Sequence, residues 1–280
     1  MSAWFRTVGP AEASAWLRLA LVGFCACLAS WQPAAGAEKH REETRDYLRR
    51  ILAVPSESLG SAVMAKVRPE DSARLLREYT RLRWPAKRVG IALALGYAGG
   101  AKAFAALTNT VTVEFSGTVL GADDDAGLVT CFNALGIMAQ ENDQAYAFLL
   151  AGIKPETWAD LRKWRSAMIT DPGMLNRILV DYCIQGLGLS GREEVGALLE
   201  KLRREPHLGH TPTSLLDAMR DWDIFKKLGR ERFRKVVFTK QSGAHKREWL
   251  NTEKGMDWWR WRFPPETSPG MWKDGRPLSN

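Results

Sequence analysis

Three apolar, helix-patterned runs in this chain end in the same way and at near-regular distances. Ala86-Lys-Arg-Val-Gly-Ile-Ala-Leu-Ala-Leu-Gly96, Leu128-Val-Thr-Cys-Phe-Asn-Ala-Leu-Gly136 and Ile178-Leu-Val-Asp-Tyr-Cys-Ile-Gln-Gly-Leu-Gly188 each close on Leu-Gly. Gly96, Gly136 and Gly188 are 40 and 52 residues apart, and Gly229 in Phe225-Lys-Lys-Leu-Gly adds an interval of 41. Leu-Gly occurs seven times in the chain, so the weight lies in its position at the end of an apolar helical run. A second helical run follows each of the three, at 101–107, 143–150 and 193–202. The expectation is that each glycine ends its helix in a left-handed conformation and the chain doubles back. One such hairpin cannot cover its own apolar face, so neighbours must stack.

The helical pattern holds well beyond these runs. Apolar residues recur at three- and four-residue spacing in Tyr47-Leu48-x-x-Ile51-Leu52, in Leu75-Leu76-x-x-Tyr79-x-x-Leu82 and in Ile178-Leu179-x-x-Tyr182. Pro155 and Pro172 suit first helical turns, with Asp171 as an N-cap. Asp123-Asp-Asp125, the one acidic run, is expected to cap a helix over 126–136. The Ala-Leu-Gly at 94–96, the Ala-Leu-Gly at 134–136, the Gly-Leu-Gly at 186–188 and the alanine-rich run at 101–107 resemble HEAT repeats, hairpins that stack into α-solenoids. The resemblance covers about residues 70–205 and extends to 240. It implies an all-α fold of stacked helical hairpins that binds protein partners along a groove. Two stretches depart from it: 154–168 is extra and reads as an inserted helix, and 108–120 is β-branched and strand-like.

Residues 1–37 read as a secretory signal. Arg6 and Arg18 make the start basic, residues 19–30 are apolar, Gln32-Pro33 breaks the run, and Ala35-Gly36-Ala37 predicts cleavage before Glu38. The protein is therefore expected to be exported, to a periplasm or the medium. After cleavage only Cys131 and Cys183 remain. Each lies five residues before a repeat glycine, so they occupy equivalent positions on stacked helices, about 8–10 Å apart at the axes. That separation favours two buried thiols over a disulfide bridge.

Charge divides what is left. Residues 38–219 carry 23 Lys+Arg and 23 Asp+Glu, whereas residues 220–280 carry 15 and 8. Six of the nine tryptophans beyond the signal also fall after residue 219. The domain reading is a signal at 1–37, a repeat domain at 38–205, a terminal repeat at 206–240 and an irregular basic tail at 241–280. In that tail Trp249, Trp258, Trp259, Arg260, Trp261 and Arg262 interleave indoles with guanidiniums, a composition suited to an interface. Two roles stay open for it: capping the last repeat, or contacting an anionic membrane surface, an envelope polymer or a protein.

Motifs for chemistry are missing. His207 and His210 are spaced i,i+3 without further ligands, and the glycines at 99–100 and 186–191 follow no strand and carry no lysine-serine pair. Neither a Gly-x-Ser-x-Gly nor a His-Glu-x-x-His occurs. The sequence reads as a non-enzymatic scaffold with no cofactor, no metal and no nucleic-acid partner. The alternative is a surface binder acting through its basic tail, and an unfamiliar enzyme stands behind both.

Overall fold

The computed structural model describes residues 46, 49–50, 61–64, 66–82, 86–116, 119–160, 164–204, 212–238, 240–262, 265–273 and 276–277. The signal at 1–37, the apolar residues 47, 48, 51 and 52 of the first helical pattern, and the His207/His210 pair lie outside the described residues. The fold is all-α. After a single turn at Ser61–Met64 come α1 (Ser72–Arg81), α2 (Ala86–Ala98), α3 (Ala101–Asn109), α4 (Ala122–Met138), α5 (Asp143–Gly152), α6 (Pro172–Ser190) and α7 (Glu193–Arg204). They are followed by α8 (Pro212–Leu228), α9 (Arg230–Val236), α10 (Lys240–Leu250) and α11 (Glu253–Arg262). All of these from residue 61 onward lie in one compact unit, Leu48–Asn280.

Helices α2, α4, α6 and α8 form a row, each packed on the next, an arrangement compatible with a helical repeat. Helices α3, α5 and α7 follow their row partners across short turns, as the hairpin pattern predicts. The row is most deeply buried at its middle, where α6 buries a continuous stretch from Gly186 to Ser190. The flanking helices bury one stripe only, Val195, Leu199 and Leu202 in α7. In α7 that stripe follows from the sequence, which alternates apolar with charged positions at helical spacing.

The repeat glycines do something other than what the sequence suggests. Gly96, Gly136 and Gly188 lie inside their helices, and the left-handed residues that end helices come three residues later, at Gly99 (φ 69°) and Gly191 (φ 61°). The repeat glycines are instead the points where backbones touch. A Cβ on Gly96 would stand 2.5 Å from the Ala134 carbonyl oxygen, one on Gly136 2.4 Å from that of Gly186, and one on Gly188 2.5 Å from that of Ala218. Small residues at these crossings bring adjacent helices together backbone to backbone.

Capping follows the local sequence. The Asp171 carboxylate accepts from the Gly173 N–H (2.9 Å) ahead of Pro172, and the Asn142 amide oxygen accepts from the Ala145 N–H (3.0 Å) at the start of α5. The acidic run splits its duties: Asp124 accepts from the Gly121 N–H (2.9 Å), while Asp125 accepts from the Tyr182 hydroxyl (2.7 Å) and so ties α4 to α6.

Both departures from the repeat are corrected by the structure. Residues 108–115 continue the helix, with a π turn at Thr110–Phe115, and only β1 (Val119–Leu120) is extended. Thr108, Thr110, Thr112 and Ser116 each donate their hydroxyl to the carbonyl four residues back, so these hydroxyls are satisfied within the helix. Among its described residues the extra segment forms no α-helix: it holds a 3₁₀ turn at Pro155–Trp158 and β2 (Arg165–Ser166), which pairs in parallel with β1. Trp158 pins it to the body, its indole N–H donating to the Gly152 carbonyl (2.7 Å) and its ring meeting Phe132, Phe148 and Trp164 edge-on.

The tail is also more regular than expected. Residues 240–262 are helical as α10 and α11, and a short antiparallel pair, β3 (Trp272–Lys273) with β4 (Arg276–Pro277), comes after them. Alongside α8, the place next to α7 is taken by α11. Lys254 Nζ lies 3.1 Å from Glu200, and Arg203 lies 3.7 Å from Asp257. Helix α9 packs on α8 and on the Ser61–Met64 turn.

Candidate functional site

The corner between α10 and α11 is sharp. Thr252 donates its hydroxyl to the Trp249 carbonyl (2.7 Å) and accepts from the Gly255 N–H (3.2 Å), capping α11. Gly255 has to be glycine here, because a Cβ would stand 2.2 Å from the Trp249 carbonyl oxygen. This corner stands over the C-terminal half of α8 and leaves a cleft of ≈ 400 Å³. Its lining comes from α8 (Asp223, Ile224, Lys227), from α10 (His245, Glu248, Trp249) and from the corner itself.

Trp249 and Ile224 make the apolar base of the cleft, and both are buried. The Trp249 indole N–H donates to Asp223 Oδ2 at 2.9 Å, which fixes the ring. Lys254 bridges Asp223 Oδ1 (3.7 Å) and Glu200 Oε1 (3.1 Å). On the other side Lys227 pairs with Glu248, and His245 Nδ1 is 3.8 Å from the same carboxylate. The hydrogen bond from Lys227, with its charge, holds the Glu248 carboxyl below its ordinary range. Ionised, paired groups around an apolar base make a socket that can hold an amphipathic group.

Of the residues singled out from sequence, Trp249 belongs to this cleft. Trp258 and Trp259 are buried, their ring centroids 5.9 Å apart, and the Trp259 indole N–H donates to the Met271 carbonyl (3.1 Å). These three indoles are packed into the molecule. Arg260 is exposed and pairs with Asp257 at 3.4 Å. Trp261 and Arg262 end α11, and their side chains lie outside the described residues. Asp223, Lys227, Glu248 and Lys254 carried no signal in sequence, because each gains its meaning only from a residue across the α8–α10–α11 junction.

A second polar cluster lies between α1, α2 and the π turn. Arg88, 8% exposed at its side chain, forms a two-pronged pair with Glu114 (2.7 and 2.9 Å) and stacks its guanidinium 4.0 Å over the Tyr79 ring. Thr110 accepts from both the Tyr79 hydroxyl (2.8 Å) and Arg88 (3.2 Å), and the Tyr79 oxygen lies 3.8 Å from Cys131 Sγ. Burial pushes the Cys131 thiol up to about 12 and raises that of Cys183 as well. Both cysteines are buried and unbridged, as expected. Cys183 faces Gly152 and fills the room that a side chain there would need. Such thiols are packing groups rather than nucleophiles.

Among the described residues no group of three or more His, Cys, Asp or Glu is placed to hold a metal ion, and no helix is long and apolar enough to cross a membrane. Protein-family models, curated proteins and solved structures contain no match to this chain.

Proposed function

We propose that this chain is an exported, HEAT-like α-solenoid scaffold that binds protein partners without catalysing a reaction. The observation that carries the reading is the cleft at the end of the helical row. Its base of Trp249 and Ile224 and its rim of charges of both signs suit a partner's apolar side chain flanked by polar neighbours. The stacked hairpins supply a rigid support for that socket. A photo-crosslinking amino acid at Thr252, compared with one at the exposed Lys102 on α3, tests it in cells. A discrete adduct at 252 and none at 102 supports a partner seated in the cleft, and equal labelling at both positions removes it. Export is tested separately: the protein recovered from the envelope or medium should begin at Glu38, and an intact N-terminus there would end that part of the reading.

A second reading, binding to an anionic surface, is favoured by the exposed basic side chains at the C-terminal end of the row rather than by the tryptophans.

A further inference from the structure

The excess charge of this chain sits in a narrower place than its tail. Residues 226–247 contain nine Lys+Arg and one acid, Glu231, a net of +8, which equals the formal charge of the whole chain. The other 258 residues carry 31 of each sign. In the structure this stretch is the last turn of α8, all of α9 and most of α10, three helices packed on one another.

Part of this charge has a local explanation. Lys226 and Lys227 lie in the last turn of α8, where cations suit the helix dipole. The Arg234 side chain is turned inward to Tyr97. Arg232 and Arg247 have no such explanation: both are exposed and make no ion pair among the described residues. Unpaired like charges on helices packed together cost stability, and a counter-charged partner offsets that cost.

The chemistry of the partner can be read from what the island already holds. Lys226 takes Glu193, Lys227 takes Glu248 and Arg230 takes Glu141, all three glutamates more than half exposed at their side chains. Surface pairs of this kind contribute little and exchange readily. None of the exposed large apolar side chains, Val113, Val119, Met168 and Met174, lies in the island, so it has nothing to bury in a lipid surface. Its phenylalanines, Phe233 buried and Phe238 half-buried, offer no open face to a stacked base.

We infer that the exposed basic surface of α9 and α10, which includes Arg232 and Arg247, binds a carboxylate-rich segment of a partner protein. The inference rests on the reading of the chain as a protein-binding scaffold and places a second, electrostatic contact beside the cleft.

The test uses the protein from Glu38 onward and fluorescein-labelled decaglutamate as the probe, followed by anisotropy. Binding is expected to weaken at least tenfold in the double variant Arg232→Glu/Arg247→Glu, and severalfold in Arg232→Gln/Arg247→Gln. Circular dichroism should be unchanged, since both side chains are exposed. Carbodiimide coupling should join the probe to Lys226, Lys227 or Lys235. Equal affinity in the wild type and the Gln variant, or coupling only at lysines outside residues 226–247, overturns the inference. So does tighter binding to vesicles of 30% phosphatidylserine or to a 20-nucleotide single strand than to decaglutamate. If decaglutamate binds as stated but Thr252 crosslinks nothing, the cleft fails and the island stands; the opposite pair of results removes the island alone.

Discussion

Tyr97 and Arg234, 137 residues apart, hold each other by reciprocal bonds between side chain and backbone. The Tyr97 hydroxyl donates to the Arg234 carbonyl at 2.8 Å, and Arg234 Nη2 donates to the Tyr97 carbonyl at 2.6 Å. The guanidinium also lies 4.9 Å from the ring centroid. Helix α9 is thereby fastened to the end of α2, while Arg230 reaches Glu141 beyond α4.

This clasp has a measurable coupling. Tyr97→Phe should cost about 1 kcal/mol and Arg234→Ala about 1–3 kcal/mol, since each removal leaves a carbonyl less well satisfied. In urea unfolding the double variant should fall short of the sum of the singles by at least about 0.5 kcal/mol. Strict additivity would mean the two side chains do not act together.

The helix crossings give a prediction with a built-in control. Gly136→Ala and Gly188→Ala each gain about 1 kcal/mol of helix propensity, but each drives a Cβ to about 2.5 Å or less from a backbone atom. A backbone cannot step aside as a side chain can, so the steric cost should win and both variants should lose about 1–3 kcal/mol. Gly243→Ala in α10, where a Cβ meets only an Arg247 nitrogen at 3.7 Å, should instead gain about 0.5–1 kcal/mol. Thermal melts of the three variants should move in these opposite directions.

Breaking the buried ion pair should be costly in one direction only. Glu114→Ala leaves Arg88 without its bidentate partner at 8% side-chain exposure. A loss near the lower end of about 3–5 kcal/mol is expected, because Glu114 itself is one-third exposed. Arg88→Met removes the charge along with the need for it and should cost less. The order of the two denaturation midpoints decides the point.

Alkaline pH should weaken the fold through its thiols. Cys131 rises from an ordinary value of 9 to about 12 on burial, so the unfolded chain loses that proton first. Stability is complete below about pH 8.5 and falls as pH climbs toward 12, by about 1.4 kcal/mol per unit for each thiol. Unfolding between pH 8 and 9, below the range where most unfolded tyrosine ionises, should show the onset of this slope, and Cys131→Ala should flatten it by one thiol's share. Native alkylation of either cysteine at pH 8 should be slow and become complete only in denaturant.

The hairpin pattern was legible because helical spacing is a local property. Runs at 101–107, 143–150 and 193–202 became α3, α5 and α7, and Asp171 caps where its neighbour Pro172 says it should. The role of the repeat glycines was not legible, since a glycine three residues before a helix end and one at the end share the same flanking pattern. Residues 108–115 misled because β-branching argues for strand, while the tertiary packing that buries Thr110, Val111 and Phe115 leaves no signature in local sequence. Of the cleft, sequence offered Trp249 alone. Asp223 and Lys254 lie 31 residues apart, and only the folding of α11 against α7 and α8 brings them to one another.

The connections of the row are unequal at its two ends. Paired helices are joined by turns of one to four residues at 99–100, 139–142, 191–192 and 229, whereas successive pairs are joined by the longer stretches at 110–121 and 153–171. The difference between the 40- and 52-residue intervals is taken up largely on that second side. The molecule is bound like a book, with a tight spine and an open fore-edge. Sequence can be added at the fore-edge without shifting the contacts of Gly96, Gly136 and Gly188. A change in length at the spine would move every helix that follows. Growth and divergence in such a chain are therefore one-sided, and a peptide inserted beside Met168, already 69% exposed, should be carried without loss of fold.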